Sequence, residues 1–134
     1  MLRNFFYFFR YPILLVIFNF ILTFSGFYNL FGWIDIPMHF LGGFLVAHSF
    51  ILIYDFLNNK KMIKINNKFI FVFLIVSIVG FIAILWECWE FLMVYLFNLP
   101  WQGNLADTMG DFVLGLIGAF FMVVFHFDFF KKSI

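Results

Sequence analysis

Residues 69–97 read FIFVFLIVSIVGFIAILWECWEFLMVYLF, and the only charged side chains in this apolar run are Glu87 and Glu90. A helix needs about 20 residues to cross a hydrocarbon core about 30 Å thick. This run is longer than that, so we expect it to tilt or to protrude from the bilayer. A strand is excluded because an open sheet edge cannot lie in lipid. The run therefore predicts a membrane-spanning helix.

The composition extends this interpretation to the whole chain, which is 66% hydrophobic and only 11% charged over 134 residues. A soluble domain carries about 25% charged residues. We predict one all-α transmembrane domain over 1–134, with antiparallel helices because the connections are short. The four predicted spans are 11–31, 37–57, 69–97 and 105–130. The first is expected to be a retained helix opened by Pro12, because its apolar core is too long for a signal peptide.

The basic residues give the expected orientation. All eight lie before the first span, in the second connection or after the fourth span, and they are Arg3, Arg10, Lys60, Lys61, Lys64, Lys68, Lys131 and Lys132. Four spans put them all on one side, which the positive-inside rule identifies as cytoplasmic. Both termini are therefore predicted to be cytoplasmic. A net charge of +1 gives no indication of a nucleic-acid partner, and the lone Cys88 excludes an intrachain disulfide.

Five carboxylates fall at the opposite, outer level of this topology. They are Asp35, Glu87, Glu90, Asp107 and Asp111, and the nitrogen base beside them is His39. On the second, third and fourth spans, two of these residues lie three or four positions apart, so their side chains share one face of the helix. Gly43, Gly115 and Gly118 continue these faces, and small residues let helix backbones approach closely. We therefore expect the acids to converge in one cluster.

Such a cluster cannot stay fully ionised at membrane depth, where one charge costs about 2.5–3.5 kcal/mol. A cation, bound protons or a water-filled outward cavity would each relieve the repulsion. Oxygen ligands with one imidazole suit Mg²⁺, Mn²⁺, Zn²⁺ or Fe²⁺, and the sequence does not choose among them. The predicted divalent-metal ligands are Asp35, His39, Glu90, Asp107 and Asp111.

Simpler interpretations remain open for these residues taken singly. Asp35 and Asp107 suit helix N-caps, and Glu87 and Glu90 suit neutral acids that hydrogen-bond to neighbouring helices. His39 alone is typical of a packed or interfacial histidine. Trp86 and Trp89 suit either an outer aromatic belt or a pocket wall. On the first span Asn19 and Thr23 share a face, and we expect them to hydrogen-bond across helices.

The same residues carry a family resemblance. The segments Asp35-Ile-Pro-Met-His39-Phe-Leu-Gly-Gly43, Glu87-Cys-Trp-Glu90 and Asp107-Thr108-Met-Gly-Asp111 resemble D-x-x-x-H-F-x-x-G, E-x-x-E and D-T-x-x-D motifs of the YjdF-like bacterial inner-membrane proteins. The chain is more faintly similar to VanZ-like proteins, which share an Asp-x-x-x-His opening. The resemblance implies a multi-pass protein of a prokaryotic cytoplasmic membrane and supplies no established reaction.

The leading functional hypothesis is an outward-facing, metal-dependent hydrolase or transferase that acts on a lipid head group or another envelope substrate. Glu87, Glu90 and Asp111 are the predicted catalytic carboxylates, one of them acting as a general base on a metal-activated water. Thr108 and Asn104 are predicted to bind the substrate. Two alternatives are a proton or divalent-cation transporter, which would require an oligomer, and a non-catalytic membrane subunit with a structural ion.

Overall fold

The computed structural model describes the backbone of residues 2–98, 101 and 103–131 and the side chains of 5–98, 101 and 103–127. Within these residues the chain is all-helical. Its helices are α1 (Leu2–Phe24), α2 (Phe27–Leu30), α3 (Asp35–Asn59), α4 (Lys68–Phe97) and α5 (Leu105–Lys131), with a 3₁₀ turn at Gly32–Ile34. In this part of the chain α1, α3, α4 and α5 are long and apolar enough to cross a membrane. This confirms the predicted helical membrane protein.

The first helix differs most from the prediction. It begins at Leu2 instead of residue 11, so the predicted opening at Pro12 is wrong and this proline lies inside the helix. Proline has no N–H to donate to the carbonyl one turn earlier, which weakens the helix at that point without ending it. The helix also ends at Phe24 and not at residue 31. Gly26 adopts a left-handed φ of 75°, which breaks the chain direction before the short helix α2.

The other three helices lie within two residues of their predicted bounds. Helix α3 begins at Asp35, two residues early, because Pro37 lies in the first turn, where its missing N–H costs no hydrogen bond. Asn67 caps α4 by accepting from the backbone N–H groups of Phe69 and Ile70 at 2.8 and 3.2 Å. Helix α4 ends at Phe97, and the residue that caps its end, Asn98, has a left-handed φ of 53°.

The closest packing in the molecule is between α3 and α5, at positions where both helices carry glycine. A Cβ atom on Gly43 would overlap the carbonyl oxygen of Gly115, and a Cβ atom on Gly118 would overlap the carbonyl oxygen of Phe40. The two backbones therefore touch without intervening side chains. This confirms the predicted role of these small residues in a close helix–helix contact.

Beyond the glycine contact, α3, α4 and α5 enclose the buried apolar core. Its members are Ala47, Ile51, Phe71, Ile75, Val79, Ala119 and Val123. Helix α1 supplies none of them. It packs along α3, partly through the ring pairs Phe8–Phe56 and Phe9–Phe50, and it meets α4 at the ring pair Phe20–Trp89. The bundle is thus a tight three-helix unit with α1 attached to one side.

The glycine contact can be tested by adding one methyl group. We expect Gly118→Ala to lower stability by about 1–3 kcal/mol, the usual cost of overpacking, because the new Cβ has no space beside Phe40. Gly42→Ala is the matched control, since a Cβ at Gly42 meets nothing within 4 Å. Thermal unfolding of both variants in detergent measures the difference. Equal melting temperatures would contradict the proposed backbone contact.

Candidate functional site

The first turn of α3 and the start of α5 bring three metal-ligand side chains together. Nε2 of His39 lies 3.4 Å from Oδ1 of Asp35 and 3.7 Å from Oδ2 of Asp111. One ligand atom from each of these three residues lies within 4.8 Å of the other two. We call Asp35, His39 and Asp111 the Asp–His–Asp cluster. The predicted convergence of α3 and α5 acids around His39 is confirmed.

The cluster forms part of the wall of a cavity of about 440 Å³, within the size range of ligand pockets. Side chains of α1, α3, α4 and α5 line this cavity, and Glu90 and Asp107 line it together with the cluster. All five predicted metal ligands therefore face one space. No Lys or Arg side chain in the described part of the chain lines it, so the negative charge there has only His39 as a basic partner.

Aromatic side chains form one wall of the cavity, and one of them hydrogen-bonds to a carboxylate. The indole Nε1–H of Trp86 donates a 2.8 Å hydrogen bond to Oε1 of Glu90. The ring of Trp89 lies 5.1 Å from those of Trp86 and Trp101 and 5.9 Å from that of Phe20, measured between centroids. All four rings line the cavity. The geometry favours the pocket-wall interpretation of Trp86 and Trp89 over a purely lipid-facing belt.

Glu87 lies apart from the other acids. It is only 6% exposed and is not among the residues that line the cavity. Its Oε1 atom has no hydrogen-bond partner among the described residues. Burial of an unpaired carboxylate is costly, so this site favours a protonated Glu87. The catalytic role of Glu87 and the substrate-binding role of Thr108 stay predictions.

Asp35 and Asp107 lie near the N-terminal ends of their helices. Oδ1 of Asn104 accepts from the backbone N–H groups of Ala106 and Asp107 at 2.9 and 3.1 Å, so Asn104 is the N-cap of α5. Asp107 lies in the first turn, as does Asp35 in α3. The N-cap interpretation of these aspartates is therefore wrong. Both stand where the helix dipole favours a carboxylate, and a substrate-binding role for Asn104 stays a prediction.

Tyr28 is a cavity residue that the sequence analysis missed. Its hydroxyl donates a hydrogen bond to Oδ1 of Asn19, and both residues line the cavity. Thr23 instead donates to the Asn19 carbonyl oxygen of its own helix, at 2.9 Å. Burial raises the pKa of Tyr28 well above its ordinary value of 10.0, and the nearby Asp35 carboxylate raises it further. The only sequence signal was the polar Asn19–Thr23 face, because Tyr28 itself lies among apolar residues.

The position of Tyr28 makes a titration prediction. A pKa raised in the folded state means that the folded protein keeps its proton while the unfolded chain loses it above pH 10.0. Stability from the neutral phenol is thus present below pH 10.0 and is lost as the pH rises further. We expect Tyr28→Phe to unfold less steeply with rising alkaline pH than the wild type. Tyr95→Phe, at a 76% exposed tyrosine, is the control. Identical alkaline unfolding of all three proteins would contradict the burial of this hydroxyl.

The helices and the cavity define the class of this protein as a multi-pass helical membrane protein with an acidic, ligand-sized pocket. The chain belongs to the DUF2238 family, described as a predicted membrane protein, which it matches over residues 3–132. No curated protein and no solved structure matches the chain. The family description names no reaction, and the resemblances to YjdF-like and VanZ-like proteins stay predictions.

Proposed function

We propose that this chain is a metal-dependent hydrolase or transferase that acts on the head group of a lipid or another envelope substrate. The observation that supports this proposal is the Asp–His–Asp cluster on the wall of a ligand-sized cavity. A general base and a substrate space lie beside the candidate ligands. This arrangement would suit hydrolysis better than it would suit the binding of a purely structural ion.

The donor set fits a divalent cation. Asp35 and Asp111 offer hard carboxylate oxygens, and His39 offers an imidazole nitrogen, which together suit Mg²⁺, Mn²⁺, Zn²⁺ or Fe²⁺. Ligand atoms at about 2.1 Å from one ion lie about 3.0–3.4 Å apart in octahedral or tetrahedral sites. The two separations from His39, 3.4 and 3.7 Å, are close to this range, and all three ligand atoms lie within 4.8 Å of one another. A cation would also offset the uncompensated carboxylates.

Glu90 is the proposed general base. It faces the cavity and its Oε1 atom is held by Trp86, so its other oxygen is available to accept a proton from water. A bound divalent cation would lower the pKa of water and polarise a phosphoryl or acyl oxygen. The water oxygen forms the new bond to phosphorus or carbon, and the departing head-group oxygen takes up the proton that Glu90 received. Asp107 would orient the head group or complete the ligand set.

The proposed topology puts this chemistry on the extracytoplasmic side. Helix α3 has 25 residues, about 37 Å at 1.5 Å per residue, and separates the cluster at one end from the connection at the other. That connection carries the exposed Lys60, Lys61 and Lys64. The positive-inside rule then favours cytoplasmic termini. The short connections support antiparallel spans, and the resemblance to YjdF-like proteins supports a prokaryotic cytoplasmic membrane. Arg3, Lys131 and Lys132 lie outside the described side chains.

The transport alternative is less well supported by the cavity. Its deeper wall is formed by apolar residues such as Val46, Val79 and Ile82. A path for protons or divalent cations would need polar groups to continue through the membrane. The acids therefore form a local site and not the start of a polar path.

Metal content tests the cluster directly. We expect detergent-purified wild type to carry about one equivalent of divalent metal, and His39→Ala and Asp111→Asn each to lose it, because each removes a ligand. His48→Ala is the matched control, since His48 packs against the Tyr11 ring, 5.8 Å between centroids, and does not line the cavity. Elemental analysis gives the readout. Wild type without metal, with a melting temperature that chelators do not change, would overturn the metal site.

Orientation is tested with single cysteines in a Cys88→Ser background. Trp33 lies at the acidic end and Met62 in the lysine-bearing connection, and they are similarly exposed at 65% and 67%. We expect a membrane-impermeant maleimide to label Trp33→Cys in intact cells and to label Met62→Cys only after lysis. The reverse labelling pattern would contradict the proposed topology.

A further inference from the structure

We infer that the cavity holds one acyl chain of a bilayer lipid, with the lipid head group beside the Asp–His–Asp cluster. This inference rests on the proposed function and names its substrate class, an acyl-chain lipid of the outer leaflet. Three features support it, namely the depth of the cavity, the change in its lining from polar to apolar, and the helix pair that bounds it.

The depth of the cavity matches one leaflet. On α1 the lining runs from Thr23 to Pro12, on α3 from Asp35 to Val46, and on α4 from Glu90 to Val79. Each stretch comprises twelve residues, and its ends lie about 16 Å apart along the helix axis. Half of the 30 Å hydrocarbon core is about 15 Å. An acyl chain whose head group lies at the acidic end would therefore fill the cavity to the bilayer midplane.

The lining changes from polar to apolar along that depth, as a lipid does from its head group to its acyl chains. Polar groups are confined to the acidic end, where Asn19, Thr23 and Tyr28 accompany the carboxylates and His39. The deeper wall is apolar, and its residues are Pro12, Leu15, Val16, Val46, Val79 and Ile82. Water needs two to four polar partners to occupy a cavity, and this wall offers none, so hydrocarbon is the better occupant.

The helices that bound the cavity also provide a route from the bilayer. Helix α1 packs mainly along α3, and residues of both α1 and α4 line the cavity. The Phe20 and Trp89 rings bridge them near the acidic end. Below that bridge one chain of a two-chain lipid would pass between α1 and α4 into the cavity, while its second chain stays in the membrane.

Gly42 offers a way to fill the cavity without disturbing the bundle. It lines the cavity, and a Cβ atom there meets nothing within 4 Å. Gly42→Leu therefore puts a side chain into the space proposed for the acyl chain. Gly110→Leu is the matched control. A Cβ atom at Gly110, on α5, also meets nothing within 4 Å, but Gly110 does not line this cavity.

The experiment uses the full chain reconstituted in phosphatidylethanolamine–phosphatidylglycerol vesicles. A trace phospholipid carries a photoreactive diazirine near the middle of one acyl chain, and mass spectrometry maps the labelled residues. We expect labelling of Val46 and Ile82, which line the cavity, besides the exposed Phe18 and Phe81. Gly42→Leu should lower labelling of the two cavity residues about tenfold, because the new side chain takes up space that the acyl chain would occupy. A tenfold loss corresponds to about 1.4 kcal/mol of binding free energy. Gly110→Leu should leave it unchanged.

The outcomes separate this inference from the proposed function. Labelling confined to Phe18 and Phe81, or cavity labelling that Gly42→Leu does not reduce, overturns the acyl-chain site even where metal is bound. Cavity labelling in a protein that binds no metal supports the acyl-chain site and overturns the metal-dependent reaction instead. Melting temperatures and metal content of both leucine variants, measured alongside, show whether Gly42→Leu acts on the cavity alone.

Discussion

The rest of the structure depends on the backbone contact between α3 and α5. Gly43 against Gly115 and Gly118 against Phe40 leave no room for a Cβ atom, and this fixes both the distance and the register of the two helices. Because Asp35 and His39 lie one to two turns before Gly43, and Asp111 lies one turn before Gly115, the same register brings the three side chains together. The glycine contact therefore sets the geometry of the cluster.

The site then concentrates negative charge that the chain itself does not neutralise. Its basic side chains lie elsewhere, and among the described residues only His39 forms ion-pair contacts with the acids. Carboxylates that face a shared cavity favour a bound cation or bound protons. The two first-turn aspartates gain support from helix dipoles, whereas Glu90 depends on its bond from Trp86. The proposed cation would offset the charge of all of them.

Much of this was predictable because helix periodicity and glycine spacing are local properties. The spans, the shared faces of Asp35 with His39, and the approach at Gly43 followed from positions along single helices. The predicted bounds of the first helix were wrong because they depend on tertiary structure. Pro12 is tolerated inside α1, Gly26 turns the chain early, and neither outcome is fixed by hydropathy. A cavity was one of the alternatives left open, but its lining by α1 and Tyr28 was missed because it depends on how α1 sits relative to α4.

Helix α1 packs mainly against α3, and none of its residues belongs to the core cluster that α3, α4 and α5 enclose. Substitutions on its inner face, at Leu15 or Val16, would therefore reshape the cavity while leaving the α3–α5 register intact. The shape of the cavity and the geometry of the Asp–His–Asp cluster are thus encoded in separate parts of the chain.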